Sequence, residues 1–150
     1  MLKVIDAVLD AGELSAVRET LDLSVYLPGR ATARGAAAEV KRNLQATPSH
    51  DVGVAEGLVL AALQRSAEFN ALVLPARLSS PIFSRYEVGM YYGRHHDSAR
   101  VGGLRADVSV TVFLSNPGDY DGGELVIETP EGERRIKPFA GSAEIGRAHV

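Results

Sequence analysis

At 150 residues with 45% hydrophobic content, the chain is long enough for one domain with a real core. A net charge of −3 with scattered Lys and Arg offers no basic stripe to neutralise a phosphate backbone, so no nucleic-acid partner is expected. The absence of cysteine excludes a disulfide framework and thiolate metal sites, which leaves His and carboxylates to hold any metal.

Met1 to Leu9 is apolar but interrupted by Lys3 and Asp6, too short and too charged for a signal peptide or a membrane span. A cytoplasmic location is the default expectation. Within this stretch Lys3-Val4-Ile5 reads as a short strand. Asp10 and Glu13 then stand at capping-box spacing, so a helix starts there, with Leu14, Val17 and Leu21 as its buried stripe. From Ser24 to about Ala38, Pro28, Gly29, Gly35 and small residues without apolar period predict a long connection. A second helix is predicted from about Val52 to Ser66, and a shorter one through Phe69 and Leu72, with Pro75 ending the helical part.

Beyond Pro75 the apolar period drops from near four to near two. Strands are predicted at Ile82 to Tyr86, Val108 to Leu114, Leu125 to Ile127 and Arg134 to Ile136. Turn chemistry separates them at Asn116-Pro117-Gly118, Asp121-Gly122-Gly123 and Pro130-Glu131-Gly132. Helices first and antiparallel strands afterwards argue for an α+β domain whose sheet half is a sandwich or jelly roll supported by the helices.

The sharpest local feature is Tyr92-Gly93-Arg94-His95-His96-Asp97. Two residues apart, His95 and Asp97 project to the same side of an extended chain, and His96 to the other. An imidazole and a carboxylate so placed are two legs of the 2-His-1-carboxylate triad that holds Fe(II) and leaves positions open for cosubstrate and O₂. On its own so short a pattern arises often by chance, and polar residues of a solvated loop are the alternative.

Four ordered blocks supply context: Pro81 to Tyr86, Tyr92 to Asp97, Asp107 to Ser115, and Tyr120-Asp121-Gly122-Gly123-Glu124-Leu125. Together they resemble the bacterial PKHD-type hydroxylases, relatives of prolyl 4-hydroxylases in the Fe(II)/2-oxoglutarate-dependent dioxygenase superfamily. Val4 to Leu21, Pro28-Gly29-Arg30 and Val40 to Gln45 are similar to the N-terminal half of that family. The resemblance implies N-terminal helices supporting a double-stranded β-helix (jelly roll), with Fe(II), 2-oxoglutarate and O₂ as reactants and L-ascorbate as a supporting reductant. It carries the first two iron ligands onto His95 and Asp97. Tyr86 matches a tyrosine that hydrogen-bonds 2-oxoglutarate in related hydroxylases, with plain strand packing as the alternative. For Tyr92 packing is expected, and for Asp121-Gly122-Gly123 a turn that re-aims the strand after it. Arg85, Arg94 and Arg105 are left unassigned, because the family's 2-oxoglutarate arginine comes later in the sequence.

The family pattern continues after Pro138-Phe139-Ala140-Gly141 through an apolar strand to a distal histidine and then that arginine. Here Glu144 to Val150 departs from it and reads instead as the translation of a sequencing-library adapter beginning GATCGGAAGAGC. The expectation is therefore an incomplete dioxygenase domain over residues 1–143, with 144–150 a non-native tail that forms no strand of the family. On this reading His149 is a terminal histidine on a frayed tail, not the third ligand, and the chain by itself is inactive. Two rivals stand beside this one. The first is a non-enzymatic jelly-roll module binding a metal or ligand. The other, a small hydrolase using His95 and Asp97 as an acid–base pair, lacks any nucleophile motif. Substrate and oligomeric state are not legible.

Overall fold

The computed structural model describes residues 1–147, so His149 lies outside the described residues. Strand β1 (Leu2–Ile5) leads through a turn into helix α1 (Ala11–Asp22). The capping box is present as predicted: Asp10 accepts from the Glu13 backbone N–H at 2.8 Å, and Glu13 accepts from that of Asp10 at 3.2 Å. Val17 and Leu21 are buried and Leu14 packs beside them.

The stretch predicted as one long connection is instead broken into short elements. It holds β2 (Tyr26–Pro28), a 3₁₀ turn at Gly29–Thr32 and α2 (Ala36–Glu39), followed by β3 (Lys41–Arg42) and β4 (Leu44–Ala46). Strand β2 exists because it pairs antiparallel with β4, a partner that local periodicity does not reveal. The chain then enters α3 (His50–Arg65), capped by Ser49, and α4 (Ala67–Val73), capped by Ser66. Val52, Ala55, Val59, Ala62 and Leu63 form the buried stripe of α3, and α1 packs along it. Phe69 of α4 is fully buried, which is worth about 2–3 kcal/mol of apolar transfer.

The later half is strand-rich: β5 (Ser84–Arg85), β6 (Tyr91–Tyr92), β7 (Arg100–Val101), β8 (Leu104–Arg105), β9 (Val108–Val112), β10 (Leu125–Thr129), β11 (Gly132–Ile136) and β12 (Ala143–Arg147). Pro130 and Glu131 close the β10–β11 hairpin, in which Thr129 faces Gly132. Gly122 and Gly123 both adopt positive φ, 65° and 66°, which reverses the chain ahead of β10 as the turn chemistry predicts. The fold is thus α+β.

The C-terminal stretch takes part in the sheet. Residues 143–147 form β12, and this strand is the centre of the three-stranded sheet β1-β12-β9. Ala143 faces Ile5 on one side and Val112 on the other; Ile145 faces Lys3 and Val110. Ala143 and Ile145 are fully buried with Ile5, Val17 and Phe69 in one core. The apolar side chains alternate with Glu144 and Gly146, a period-two pattern too short to read as a strand in isolation. Two flanking edges that need partners for their N–H and C=O groups supply the missing constraint.

Candidate metal centre

The site is assembled by the short pairing of β3 with β6, which sets Lys41 opposite Tyr92 and Arg42 opposite Tyr91. Immediately after Tyr92, the Gly93 N–H donates to the Val40 carbonyl at 2.8 Å and holds the chain against β3. Regular strand ends there. His95 and Asp97 lie in irregular extended chain rather than on a strand, yet they converge as their spacing predicts.

His95 Nδ1 is 2.8 Å from the Gly93 carbonyl oxygen. A carbonyl only accepts, so Nδ1 donates, and in the neutral imidazole Nε2 is then the nitrogen with a lone pair for a metal. Nε2 sits 3.5 Å from Asp97 Oδ1. The imidazole is further held by the Tyr92 ring, stacked on it at 3.6 Å between centroids and 6° between planes. A hydrogen bond from the far nitrogen and a stacked ring are the supports that fix a histidine for metal ligation. His96 is exposed, as its alternate position predicts. Among the described residues no group of three or more His, Asp or Glu side chains could hold a metal, so the visible donor set is the pair alone.

Tyr92 therefore packs, as expected, but what it packs against is His95. Burial raises its phenol pKa first, and the charges of Asp97 and Tyr86 raise it further. The Tyr86 hydroxyl accepts from Asn43 Nδ2 at 3.1 Å, and the side chain is half exposed beside the centre. Burial raises its pKa against the lowering effect of that hydrogen bond. Each of the three unassigned arginines is engaged elsewhere. Arg85 lies over the Tyr26 ring and 3.8 Å from Asp22, Arg94 pairs with Glu128, and Arg105 pairs with Asp107 at 2.8 Å.

Sequence reasoning missed the polar row Lys41, Asn43 and Gln45. All three are buried, while Arg42 between them is exposed and Leu44 only partly covered. Alternation was the available signal, inverted from the usual sense, with polar residues inward. Lys41 Nζ donates to Thr32 Oγ1 at 2.8 Å, that hydroxyl also meets Gln45 Oε1 at 2.8 Å, and Nζ stands 5.0 Å from the Tyr92 ring centroid. Gly29 lets the row in: a Cβ there would fall 2.1 Å from Asn43 Oδ1 and 2.9 Å from Gln45 Cδ. Gly29→Ala is expected to cost about 1–3 kcal/mol in urea unfolding, through overpacking against these two amides. A loss of only a few tenths would contradict the close approach.

Glu144 is the second unusual group. It is 1% exposed on the central strand, its Oε1 has no hydrogen-bond partner, and its pKa is pushed up to about 7, first by burial and then by the charge of Asp97.

Residues 81–148, which include both candidate ligands, match the family model of the 2OG-Fe(II) oxygenase superfamily. The chain is 47% identical over 149 residues to a PKHD-type hydroxylase of Paraburkholderia phytofirmans, an alignment covering 94% of this chain and 66% of that protein. PKHD-type hydroxylases of Nitrosomonas eutropha and Thioalkalivibrio sulfidiphilus are 44% and 43% identical, each alignment covering 97% of this chain and 67% of the relative. The chain thus spans about two thirds of the length of the curated relatives it matches. With nearly its whole length aligned at this identity, the chain belongs to the PKHD-type hydroxylases of the 2OG-Fe(II) oxygenase superfamily.

Proposed function

We propose that the protein to which this chain belongs is an Fe(II)- and 2-oxoglutarate-dependent hydroxylase in which His95 and Asp97 are two of the iron ligands. The observation that carries the reading is the preset imidazole: Nδ1–H is spent on the Gly93 carbonyl, and Nε2 is turned beside Asp97 Oδ1. One nitrogen and one carboxylate oxygen on adjacent positions suit a ferrous ion and leave its other positions free. Bound there, Fe(II) with 2-oxoglutarate and O₂ supplies the oxidising power for C–H hydroxylation, and 2-oxoglutarate leaves as succinate and CO₂. The residues described here orient the reactants. Tyr92 holds the imidazole plane, and Tyr86 offers its hydroxyl, already positioned by Asn43, to an oxygen of 2-oxoglutarate.

On this reading L-ascorbate supports turnover as reductant, residues 1–143 are part of a jelly-roll dioxygenase domain in the cytoplasm, and 144–150 are a non-native tail. The burial of Glu144, whose Oε1 has no hydrogen-bond partner, supports the last point, since an apolar side chain suits that place in the sheet. The chain of 150 residues, with two iron ligands, should form negligible succinate when given Fe(II), 2-oxoglutarate and ascorbate, and substantial turnover would refute this. A protein extended to the full length of its relatives should show, anaerobically, the visible charge-transfer band of an Fe(II)–2-oxoglutarate chelate. If the fold is instead a jelly-roll module that only binds a metal or ligand, no such band forms.

A further inference from the structure

A single glycine links the imidazole of His95 to the chain entering β3. Gly93 donates its N–H to the Val40 carbonyl at 2.8 Å, and its own carbonyl oxygen lies 2.8 Å from His95 Nδ1. The approach is closer than a side chain permits: a Cβ on Gly93 would fall 2.9 Å from Val40 Cβ and 3.5 Å from both Cγ2 and the carbonyl oxygen of Val40. Carbon atoms in contact stand roughly 3.5–4.0 Å apart, so an alanine here must push the two segments apart. The φ of Gly93 is not positive, and contact rather than backbone strain is therefore what excludes a side chain.

Two acceptors compete for the proton of the neutral imidazole. The Gly93 carbonyl stands at Nδ1, and the Asp97 carboxylate stands 3.5 Å from Nε2. A carboxylate is the stronger acceptor, and Nε2–H is the favoured form of a free neutral histidine. Which nitrogen carries the proton is set by the hydrogen bond that fixes it, here the shorter contact to Gly93. We infer that Gly93 is a positioning residue for His95: its missing side chain lets the chain lie against Val40, and that approach sets the imidazole tautomer that leaves Nε2 open to a metal. The blocking atom is Val40 Cβ, which every residue except glycine carries. Trimming Val40 to alanine therefore makes no room for a side chain at Gly93, whereas trimming it to glycine does. The consequence for metal binding rests on the iron reading above, but the tautomer does not.

The ¹⁵N resonances of the His95 ring, recorded in the metal-free chain at alkaline pH, report which nitrogen is protonated. In the wild-type chain it is expected to be Nδ1. In Gly93→Ala the proton should move largely to Nε2. Adding Val40→Gly should return it to Nδ1, and adding Val40→Ala should not. Val40→Gly alone keeps the carbonyl that accepts from Gly93 and should leave Nδ1 protonated. A merely structural glycine would lower the unfolding temperature in Gly93→Ala with the proton still on Nδ1, and that result overturns the proposal, as does a wild-type chain protonated on Nε2. If Gly93→Ala does not fold, the double variant with Val40→Gly decides: folded with Nδ1 protonated it supports the proposal, and unfolded or protonated on Nε2 it overturns it. Titration with Mn(II) followed by EPR reads the consequence, an affinity about tenfold weaker in Gly93→Ala and within about twofold of wild type once Val40→Gly is added. A wild-type chain that binds no Mn(II) counts against the iron reading and leaves the tautomer to decide the role of Gly93.

Discussion

Replacing His95 with alanine is expected to weaken Fe(II) binding about a hundred-fold or more, equivalent to about 2.7 kcal/mol, because it removes a ligand rather than a ligand's support. Asp97→Ala should have an effect of the same order. The informative comparison is His96→Ala. His96 is adjacent in sequence to both, yet exposed and outside the Gly93 and Tyr92 contacts, so its loss should leave affinity within about twofold. Anaerobic titration of Fe(II), or of Mn(II) as a substitute followed by EPR, measures all three. Equal affinities for wild type and His95→Ala would remove the basis of the proposed function. Tyr92→Ala offers a milder test of the support: the imidazole keeps its hydrogen bond but loses the stacked ring, and a loss of about tenfold is expected.

The second large effect concerns stability and pH. Burial pushes the Glu144 carboxyl up to about 7 in the folded chain from its ordinary value of 4.5 when unfolded, so between these values the native state holds a proton that the unfolded state has released. Its contribution is therefore least unfavourable below about pH 4.5, worsens as pH rises to 7, and is fully adverse above, by about 3 kcal/mol. Glu144→Gln should flatten this part of the stability–pH profile. Glu144→Val should flatten it and also remove the orphaned Oε1, raising Tm at pH 8 by about 6–12 °C for a domain of this size. Thermal unfolding at pH 5 and pH 8 separates the outcomes. Equal gains from Glu144→Val at both values would show that packing, not ionisation, sets the cost. No gain at pH 8 would show that Glu144 is solvated or partnered.

Much of the helical half was legible from local chemistry. Asp10 and Glu13 announce α1 because the capping box is closed within three residues, and the spacing of Val17 and Leu21 names its buried face. The later strands were legible as segments with their turns, but their ends were not. Ile82 to Tyr86 shrinks to Ser84–Arg85 because only those residues find ladder partners on β4. The strand at Tyr26–Pro28 and the central place of Ala143–Arg147 depended wholly on distant edges.

The same division runs through the candidate site. Residue type and two-residue spacing were enough to single out His95 and Asp97, because side chains two apart on extended chain share a side even where no sheet forms. The four blocks in order were enough to point to the family. What folding alone decided is the environment: Gly93 turning its carbonyl to Nδ1, Tyr92 lying on the imidazole, Lys41 and Asn43 drawn inward beside it, and Glu144 enclosed within reach of Asp97. Composition and short-range pattern determine which groups are available and how the chain runs locally. Burial and partnership depend on segments up to about 140 residues apart in sequence that meet only when sheet and helices pack, and these contacts set proton positions and the cost of a buried charge.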